Sequence, residues 1–473
     1  MNHRLDNRLI ALGALIVIVH AALLFVVMPA LSNRLAPSYN QNKFTDGYDD
    51  LAANLLAGNG YRFYPDTAKT LMREPGYPVF VAGLWLVFGR SFMVVKITNM
   101  ILALSTAWLM VRLAEKLPPD VLPRNGLLLL APPLLFLFHP ATLTAESRGG
   151  VEIVFALMIT LLLLSLYRAM ETDRWWDYAA SGIVLGITVL VRSTPMLFPL
   201  FLLMYLLLFE RRRVAMRTIC RNIAVLIVSM LAVLSPWIIR NYSLTGAFVP
   251  TASVLGISAH AGQYIGAHIF EGKPMWLLDR EASRERDRLA MKLGYAFEDG
   301  AQGYYQSFYK SQDEVKFSKY LTGLVAAEYR RSPMLFARCL GQNVFNFWFA
   351  GKTWAATAAN AVIQLPYLVF ALIGMVYSVK NKERAVVPIL ILFIGYVMAV
   401  HLPILAQARY SMPLLPLVSI LATVGLVAVR KRSIETTATS TVSFASTRGD
   451  RLRDVVSLPV SKGSEAGSRG RFV

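Results

Sequence analysis

Long apolar runs separated by short polar connections dominate the chain. A helix needs about 20 consecutive apolar residues to cross a bilayer, and this criterion predicts ten spans. They lie near residues 9–31, 92–113, 126–139, 150–168, 177–192, 195–209, 220–239, 358–378, 386–405 and 411–429. The pattern predicts an all-α polytopic membrane protein with about ten transmembrane helices.

The polar segments divide the same chain into four parts. Helical spacing near 281–295 and 313–329 favours a folded outer region over a linker, and the aromatic stretch 344–349 is typical of a membrane interface. We expect the last part to be disordered, because it is rich in Ser, Thr, Arg and Gly. The N-terminal core covers residues 1–240 and includes a polar first loop at 32–78. An outer-face region covers 241–356, the C-terminal spans cover 357–430, and a basic tail covers 431–473.

Composition and charge indicate where the chain resides. Hydrophobic residues make up 55% of the sequence and charged residues 16%, which excludes an ordinary soluble protein. The formal net charge of +19 would suit a nucleic-acid partner, but the basic residues cluster in short loops, as the positive-inside rule predicts for cytoplasmic loops. We therefore predict a multi-pass plasma (inner) membrane protein without a nucleic-acid partner. Both termini are cytoplasmic, and loop 32–78 lies on the outer, periplasmic face.

Several common catalytic motifs are missing from the sequence. It has no Gly-rich phosphate loop, no Gly-x-Ser-x-Gly elbow and no His-Glu-x-x-His. Cys220 and Cys339 have no metal-ligand neighbours in the sequence, and the histidines are scattered. The sequence therefore does not favour an ATP-driven protein, a serine hydrolase or a zinc enzyme.

The first outer loop carries the densest group of candidate residues. The polar stretch 45–50 opens an apolar-periodic run that two glycines close, which predicts a short amphipathic helix beginning near Thr45. Asp46, Asp49 and Asp50 would then lie at i, i+3 and i+4, so that Asp46 shares a face with either of the others. Carboxylates at a helix N-terminus stay ionised and can act as a base or a metal ligand. Aspartates in this position also serve simply as helix caps.

Two acidic–basic pairs follow. Arg73 and Glu74 precede a proline, where they form either a weak surface ion pair or a phosphate-binding fork beside the membrane. Glu146 and Arg148 lie where a span emerges, so they are either functional groups or an internal salt bridge.

Arginines also recur at the outer ends of spans, at Arg192, Arg240 and Arg409. A single one could be a snorkelling side chain. Several near a carboxylate loop favour a binding site for an anionic headgroup, because Arg binds phosphate bidentately.

The order of these segments resembles the GT-C-fold glycosyltransferases. The similarity is to the bacterial branch related to dolichyl-phosphate-mannose-protein mannosyltransferases and to the aminoarabinose transferase of lipid A, which belong with glycosyltransferase family 39. The segments that carry it are residues 46–52, 58–61, 73–78, Glu146, 182–192, 236–242 and 409–413.

This resemblance implies an inverting transfer of a sugar from a polyprenyl-phosphate donor to an acceptor outside the cytoplasm. It assigns the essential aspartate of the first outer loop to Asp46, as the base for the acceptor hydroxyl, with Asp49 and Glu74 as the other catalytic candidates. Arginines would stabilise the leaving phosphate, Arg409 first. The implied substrate-binding residues are Tyr48, Arg73, Tyr77, Glu146, Arg192, Arg240, Asn241, Arg409 and Tyr410.

The resemblance leaves the partners and cofactors only broadly defined. No cofactor is required, although a divalent metal is possible at Asp46 and Asp50. The partners are the lipid-linked donor, the bilayer, and an acceptor that is a glycan, a glycolipid or a protein. Three alternatives stay open: a flippase or transporter for a lipid-linked sugar, a lipid-diphosphate-dependent polysaccharide polymerase or ligase, and a non-catalytic scaffold.

Overall fold

A computed structural model describes residues 2–30, 44, 46–124, 126–210, 214–299, 306–381 and 386–433. The chain divides into two compact units, Met1–Gly425 and Leu426–Val473. In the second unit residues 426–433 are described, and they are helical. Most of the predicted tail, and residues 31–43 of the first loop, lie outside the described residues.

Helices build the N-terminal half of the chain. A short π-helical turn, Leu23–Val27, continues the first helix. The helices are α1 Asn2–Ala22, α2 Tyr48–Leu56, α3 Gly76–Phe88, α4 Phe92–Ala114, α5 Gly126–Leu137, α6 Pro140–Ser147, α7 Glu152–Thr172, α8 Trp175–Val191, α9 Phe198–Tyr205 and α10 Met216–Thr245.

The second half contains a polar helical region and then further apolar helices. A two-stranded antiparallel sheet, not anticipated from the sequence, pairs Phe297 with Phe308. The predicted helices near 281–295 and 313–329 are present as α12 and α13. The elements are α11 Leu255–His268, α12 Met275–Lys292, β1 Phe297–Asp299, β2 Gln306–Phe308, α13 Ser311–Arg331, α14 Pro333–Phe349, α15 Trp354–Lys380 and α16 Val387–His401, followed by the helical segment Ala408–Ser433.

The prediction of an all-α membrane fold is confirmed. Six described helices are long and apolar enough to cross a membrane, or seven if the bent pair α5 and α6 counts as one span. Each of the ten predicted spans coincides with a helix, but α8, α16 and Thr194–Glu210 are shorter apolar helices. The apolar helix α3 was not among the predicted spans. The number of crossings therefore stays a prediction.

A hydrophobic core joins the first loop to the region of residues 241–356. Leu51 of α2, Phe63 and Met72 from the loop pack with Phe317 and Leu321 of α13, and all five side chains are buried. Burying apolar side chains of this size stabilises a fold by about 1.5–3 kcal/mol each. The first loop is thus held by tertiary packing and not by its own short helix.

Glu314 clamps the same two parts together through hydrogen bonds. Its carboxylate accepts from the Thr70 hydroxyl at 2.7 Å, from the Leu71 amide at 2.9 Å and from the Ser253 hydroxyl. Burial raises the pKa of Glu314, while these donors and Arg240 oppose the shift. Residues 70 and 71 immediately precede Arg73, so this clamp fixes the approach of the chain to the candidate site.

Substitutions at Glu314 test the clamp. Glu314→Leu should lower the thermal unfolding midpoint in detergent, because it strands three buried donors at a cost of about 1–3 kcal/mol each. Glu314→Gln should be tolerated, because the amide oxygen can still accept from Leu71 and Ser253. A Leu variant as stable as the wild type would contradict the clamp.

The pH dependence of the two proteins gives a second readout. A carboxyl group whose pKa is raised by folding stabilises the fold most below its unfolded pKa, near 4.5, and this contribution is lost as pH rises through the folded pKa. The unfolding midpoint of Glu314→Gln should therefore fall less steeply than that of the wild type as pH rises above about 4.5.

Candidate active site

The backbone at Asp46 departs from the predicted helix. The described helix α2 begins at Tyr48, with Gly47 as a left-handed N-cap that makes no side-chain capping bond. Asp46 itself has φ of 66°, which is uncommon for a residue with a side chain. The predicted shared helical face of Asp46 with Asp49 or Asp50 is therefore wrong, because Asp46 lies before the helix. Non-glycine residues in this region often mark functional sites.

Two arginines from distant parts of the chain hold the Asp46 carboxylate. Arg409 Nη1 donates to Asp46 Oδ2 at 3.0 Å, and Arg73 Nη2 forms an ion pair with Oδ1 at 3.4 Å. The side chains of Asp46 and Arg73 are 16% and 10% exposed, whereas Arg409 is 37% exposed. The arrangement is a carboxylate between two guanidinium groups, one buried and one open to solvent.

Arg73 and Glu74 are fixed by a close approach of backbones. Gly76 begins α3 against the end of α8, where an added Cβ would lie 2.7 Å from backbone atoms of Leu190, so only glycine fits. This contact lets Glu74 Oε1 accept from the Ser193 amide at 2.9 Å. The Tyr61 hydroxyl donates to the carbonyls of Arg73 and Glu74. The chain around Arg73 is consequently rigid on both sides.

Arg409 is positioned by a turn that follows the C-terminal end of α16. Gly262 of α11 packs against this turn, since a Cβ there would lie 1.7 Å from the carbonyl oxygen of Ile404. The Ala408 amide donates to the Ala350 carbonyl at 3.3 Å. The Tyr410 ring stacks on His401 with centroids 4.7 Å apart.

Arg192 joins the same cluster from the end of α8. Its guanidinium lies 4.8 Å from the centroid of the Tyr410 ring and 5.9 Å from that of Phe155. Arg192 Nη1 is buried and makes no hydrogen bond within the described part of the chain. A buried donor without a partner is costly, so this group is suited to an anionic ligand.

Two buried tyrosines, Tyr48 and Tyr77, pack beside Arg73. The rings of Tyr48 and Tyr77 meet edge to face at 5.0 Å, and the Arg73 guanidinium lies over Tyr48 at 5.7 Å. The Tyr77 hydroxyl donates to the Gly149 carbonyl at 2.6 Å. Burial raises the pKa of Tyr48 well above its ordinary value, so the phenol stays neutral. The prediction that these tyrosines bind substrate stays a prediction.

The structure adds charged residues that the sequence pattern did not reveal. Asp279 interacts electrostatically with Arg409, Asp46 and Lys352, and Lys352 interacts with Arg148 as well. Desolvation raises the pKa of Asp279 and lowers that of Lys352. Neither residue belongs to a motif. Their proximity depends on how α12 packs against the 404–410 turn, which sequence periodicity does not encode.

Other predicted site residues have partners elsewhere. Glu146 is fully buried and its carboxylate pairs with His20 Nε2 at 3.0 Å, a partner that the sequence pattern did not indicate. Arg240 donates to the Thr70 carbonyl and to Asn241 Oδ1. The Asn241 amide in turn donates to carbonyls of the loop after α10. These three side chains support the fold around the site.

The surroundings of the Asp46 carboxylate are cationic. Within the described ranges, no three His, Cys, Asp or Glu side chains are placed to hold one. The oxygens of Asp46 face two guanidinium groups, and a metal ion bound there would be repelled by them. The neighbouring Asp49 and Asp50 lie on α2, where Asp50 accepts from Asn54 through its backbone carbonyl.

Known proteins resemble this chain in sequence and in fold. Residues 72–239 match the model of a family described as dolichyl-phosphate-mannose-protein mannosyltransferase. The structure superposes on an oligosaccharyltransferase from Archaeoglobus fulgidus in its apo form, with a TM-score of 0.53 and 13% identity over 92% of this chain. The chain has the GT-C fold. This GT-C chain spans about half of the archaeal enzyme, 52% of its length.

Two further structures were compared with the GT-C chain. The archaeal enzyme AglB from the same organism, in complex with an inhibitory peptide and a dolichol-phosphate, has a TM-score of 0.52 and 11% identity, covering 92% of this chain and 51% of its own. ArnT from Cupriavidus metallidurans, bound to undecaprenyl phosphate, has a TM-score of 0.38 and 15% identity, covering 88% of this chain and 78% of its own. No curated protein sequence matches the chain significantly. The resemblance inferred from the loop motifs is confirmed at the level of the fold.

Proposed function

We propose that the protein transfers a sugar from a polyprenyl-phosphate donor to a hydroxyl group of an acceptor on the outer face of the membrane. The observation that carries this proposal is the Asp46 carboxylate between Arg73 and Arg409, beside the unpaired Arg192 donor. The matched mannosyltransferase family and the GT-C fold support it. So does the dolichol-phosphate in the archaeal neighbour, as a carrier of the same chemical class.

Asp46 acts as the base in this reaction. The acceptor oxygen attacks the anomeric carbon while the bond from that carbon to the phosphate oxygen breaks, and the hydroxyl proton passes to Asp46. A carboxylate offers about four lone-pair sites. One carboxylate oxygen can therefore contact an arginine and also accept a proton. A single displacement inverts the anomeric configuration.

The arginines stabilise the charge that develops on the leaving group. The donor is a phosphodiester with one negative charge, and departure of the sugar leaves a monoester that gains another. Preorganised cations placed where charge develops lower the barrier, and the planar guanidinium fork matches phosphate oxygens. Arg409 has the most open side chain of the Asp46 partners and leads this role, with Arg73 and Arg192 behind it. Glu74 is a positioning residue through its bond to Ser193.

The positive-inside pattern supports the outer face as the side of the reaction. Basic clusters at 211–213, 380–384 and 430–432 follow apolar segments that would end in the cytoplasm. The Asp46 loop falls on the opposite side by the same count. In a bacterial cell this membrane is the plasma membrane, and the donor would be consumed at its periplasmic surface.

Substitution of the first-loop aspartates tests the proposal. Purified protein in lipid, given a panel of polyprenyl-phosphate sugars and membrane extract as acceptor, should release polyprenyl phosphate. Asp46→Asn should lower this release by about 10²–10⁴-fold, the usual contribution of a general base, in protein shown to be folded at the assay temperature. Asp49→Asn and Asp50→Asn are matched controls on α2 and should retain most of the activity. The product should carry the opposite anomeric configuration to the donor.

Other outcomes would point to the rival functions. Movement of a lipid-linked sugar across the bilayer without a new glycosidic bond would identify a flippase. Turnover of lipid-diphosphate donors alone would identify a polymerase or ligase. Equal activity of Asp46→Asn and wild type would remove Asp46 as the base.

Because two arginines occupy the oxygens of Asp46, we also propose that the reaction needs no resident divalent metal. Release of polyprenyl phosphate should persist after dialysis against EDTA and should not rise when Mg²⁺ or Mn²⁺ is added. Loss of activity in EDTA, with recovery on addition of either ion, would contradict this proposal.

A further inference from the structure

A small cavity lies in the outer region between the start of α12, α14 and the start of α15. Its volume is about 120 Å³, enough for several water molecules or part of a sugar ring by the usual volume of a water. Polar side chains and two aromatic rings share its lining. They include Gln342, Asn346, Thr353, Phe345 and Trp354.

Gln342 has an unused hydrogen-bonding group on each side of its amide. Both Nε2 and Oε1 are buried, and neither has a hydrogen-bond partner within the described residues. A buried polar atom without a partner costs about 1–3 kcal/mol. A ligand that both donates and accepts would satisfy the two atoms together, and a sugar hydroxyl does both. The rings of Phe345 and Trp354 offer apolar faces for the carbon side of such a ligand.

Residues that line the cavity lie close in the chain to two charged residues of the candidate active site, Asp279 and Lys352. Met275 lines it, and Asp279 lies four residues later on the same face of α12. Gly351 and Thr353, which also line it, flank Lys352, whose carbonyl accepts from the Trp276 amide at 3.2 Å.

The 404–410 turn closes the connection on the other side. Leu278 and Ala282 of α12 pack against Leu405 and Tyr410, next to Arg409. Asp279 and Lys352 consequently stand between the cavity and Arg409.

Asp279 has free acceptor capacity at this boundary. Its carboxylate makes no hydrogen bond or ion pair with the described residues, although it interacts electrostatically with Arg286 and, more weakly, with Arg409 and Lys352. The residue is partly buried, and desolvation raises the pKa of its carboxyl group. A carboxylate in such a place is well suited to accept hydrogen bonds from neighbouring hydroxyl groups of one sugar.

We propose that this cavity, with Asp279 and Lys352 at its inner edge, is an acceptor subsite for a carbohydrate. The inference rests on the proposed function and narrows its acceptor to a glycan or the sugar of a glycolipid. The unpaired amide of Gln342, the free carboxylate of Asp279 and the aromatic rings together match a hydroxylated ring. A lipid chain would leave the amide and the carboxylate unsatisfied, and an unglycosylated peptide is the remaining rival.

Steady-state kinetics with defined acceptors test the subsite. The wild type is given a polyprenyl-phosphate hexose and a panel of methyl hexosides, or a Ser- and Thr-containing peptide, and the KM values for donor and acceptor are measured separately. Gln342→Met should raise the KM for the hexoside at least tenfold and leave the KM for the donor unchanged. It should not lower the unfolding midpoint, because an apolar isostere removes an unsatisfied group. Gln312→Met, at an exposed glutamine on α13, is the matched control.

Asp279→Asn is the second variant and should likewise raise the KM for the hexoside. Its control on the same helix is Glu285→Gln, whose side chain is 39% exposed and pairs with Arg288. Release of polyprenyl phosphate to water, without any acceptor, should match that of the wild type in the two controls, Gln312→Met and Glu285→Gln, because neither residue belongs to the candidate active site or to the subsite.

Three outcomes would overturn the subsite. One is an unchanged KM for the hexoside in Gln342→Met and Asp279→Asn. Another is a lower unfolding midpoint of Gln342→Met with unchanged kinetics, which would make the glutamine structural. The third is transfer to the peptide but to none of the hexosides, which would leave the proposed function intact. A wild type that releases polyprenyl phosphate under no condition would instead refute the proposed function, and the subsite with it.

Discussion

The ion pairs of Asp46 organise the candidate active site of this membrane protein. Arg73 reaches the carboxylate from the first loop and Arg409 from a turn 363 residues later in the chain. Removing one partner of a desolvated ion pair leaves an uncompensated charge. The first loop, the end of α8 and the turn after α16 therefore have to be assembled together. The left-handed backbone at Asp46 is compatible with this view, because such strain persists only where the surroundings enforce it.

Close backbone contacts and one hydrophobic core make that assembly possible. Gly76 allows α3 to meet α8, and Gly262 allows α11 to meet the turn that carries Arg409. The core around Phe317 holds the loop between α2 and α3 against the outer region. A rigid scaffold of this kind places charged groups before a substrate arrives, which is the condition for electrostatic stabilisation of a transition state.

The sequence predicted much of the fold and part of the site. Apolar runs of the right length identified the helices, because a spanning helix must satisfy its backbone internally. The sequence named Asp46, Arg73 and Arg409 as candidates, and the structure brings these three charged side chains together. The helical pattern predicted the wrong conformation for Asp46, because hydrophobic periodicity does not reveal a left-handed residue just before a helix.

Other site residues lay beyond sequence reasoning for a physical reason. Glu146 was expected where a span emerges, as a functional group or in an internal salt bridge with Arg148, whereas its buried carboxylate pairs with His20. Asp279, Lys352 and Gln342 were not found. Asp279 and Lys352 come near Arg409 only through tertiary packing, and Gln342 lines a cavity between three helices that are separate in sequence. Such contacts depend on tertiary packing between segments far apart in sequence.

The most direct test is an experimental structure of the protein in a lipid nanodisc with polyprenyl phosphate bound. The account predicts that the phosphate oxygens lie at about 2.7–3.2 Å, hydrogen-bonding distance, from the guanidinium of Arg409 and from Arg73 or Arg192, with Asp46 on the side of the phosphate that faces the outer region. A phosphate bound away from these arginines, with the Asp46 ion pairs undisturbed, would contradict it.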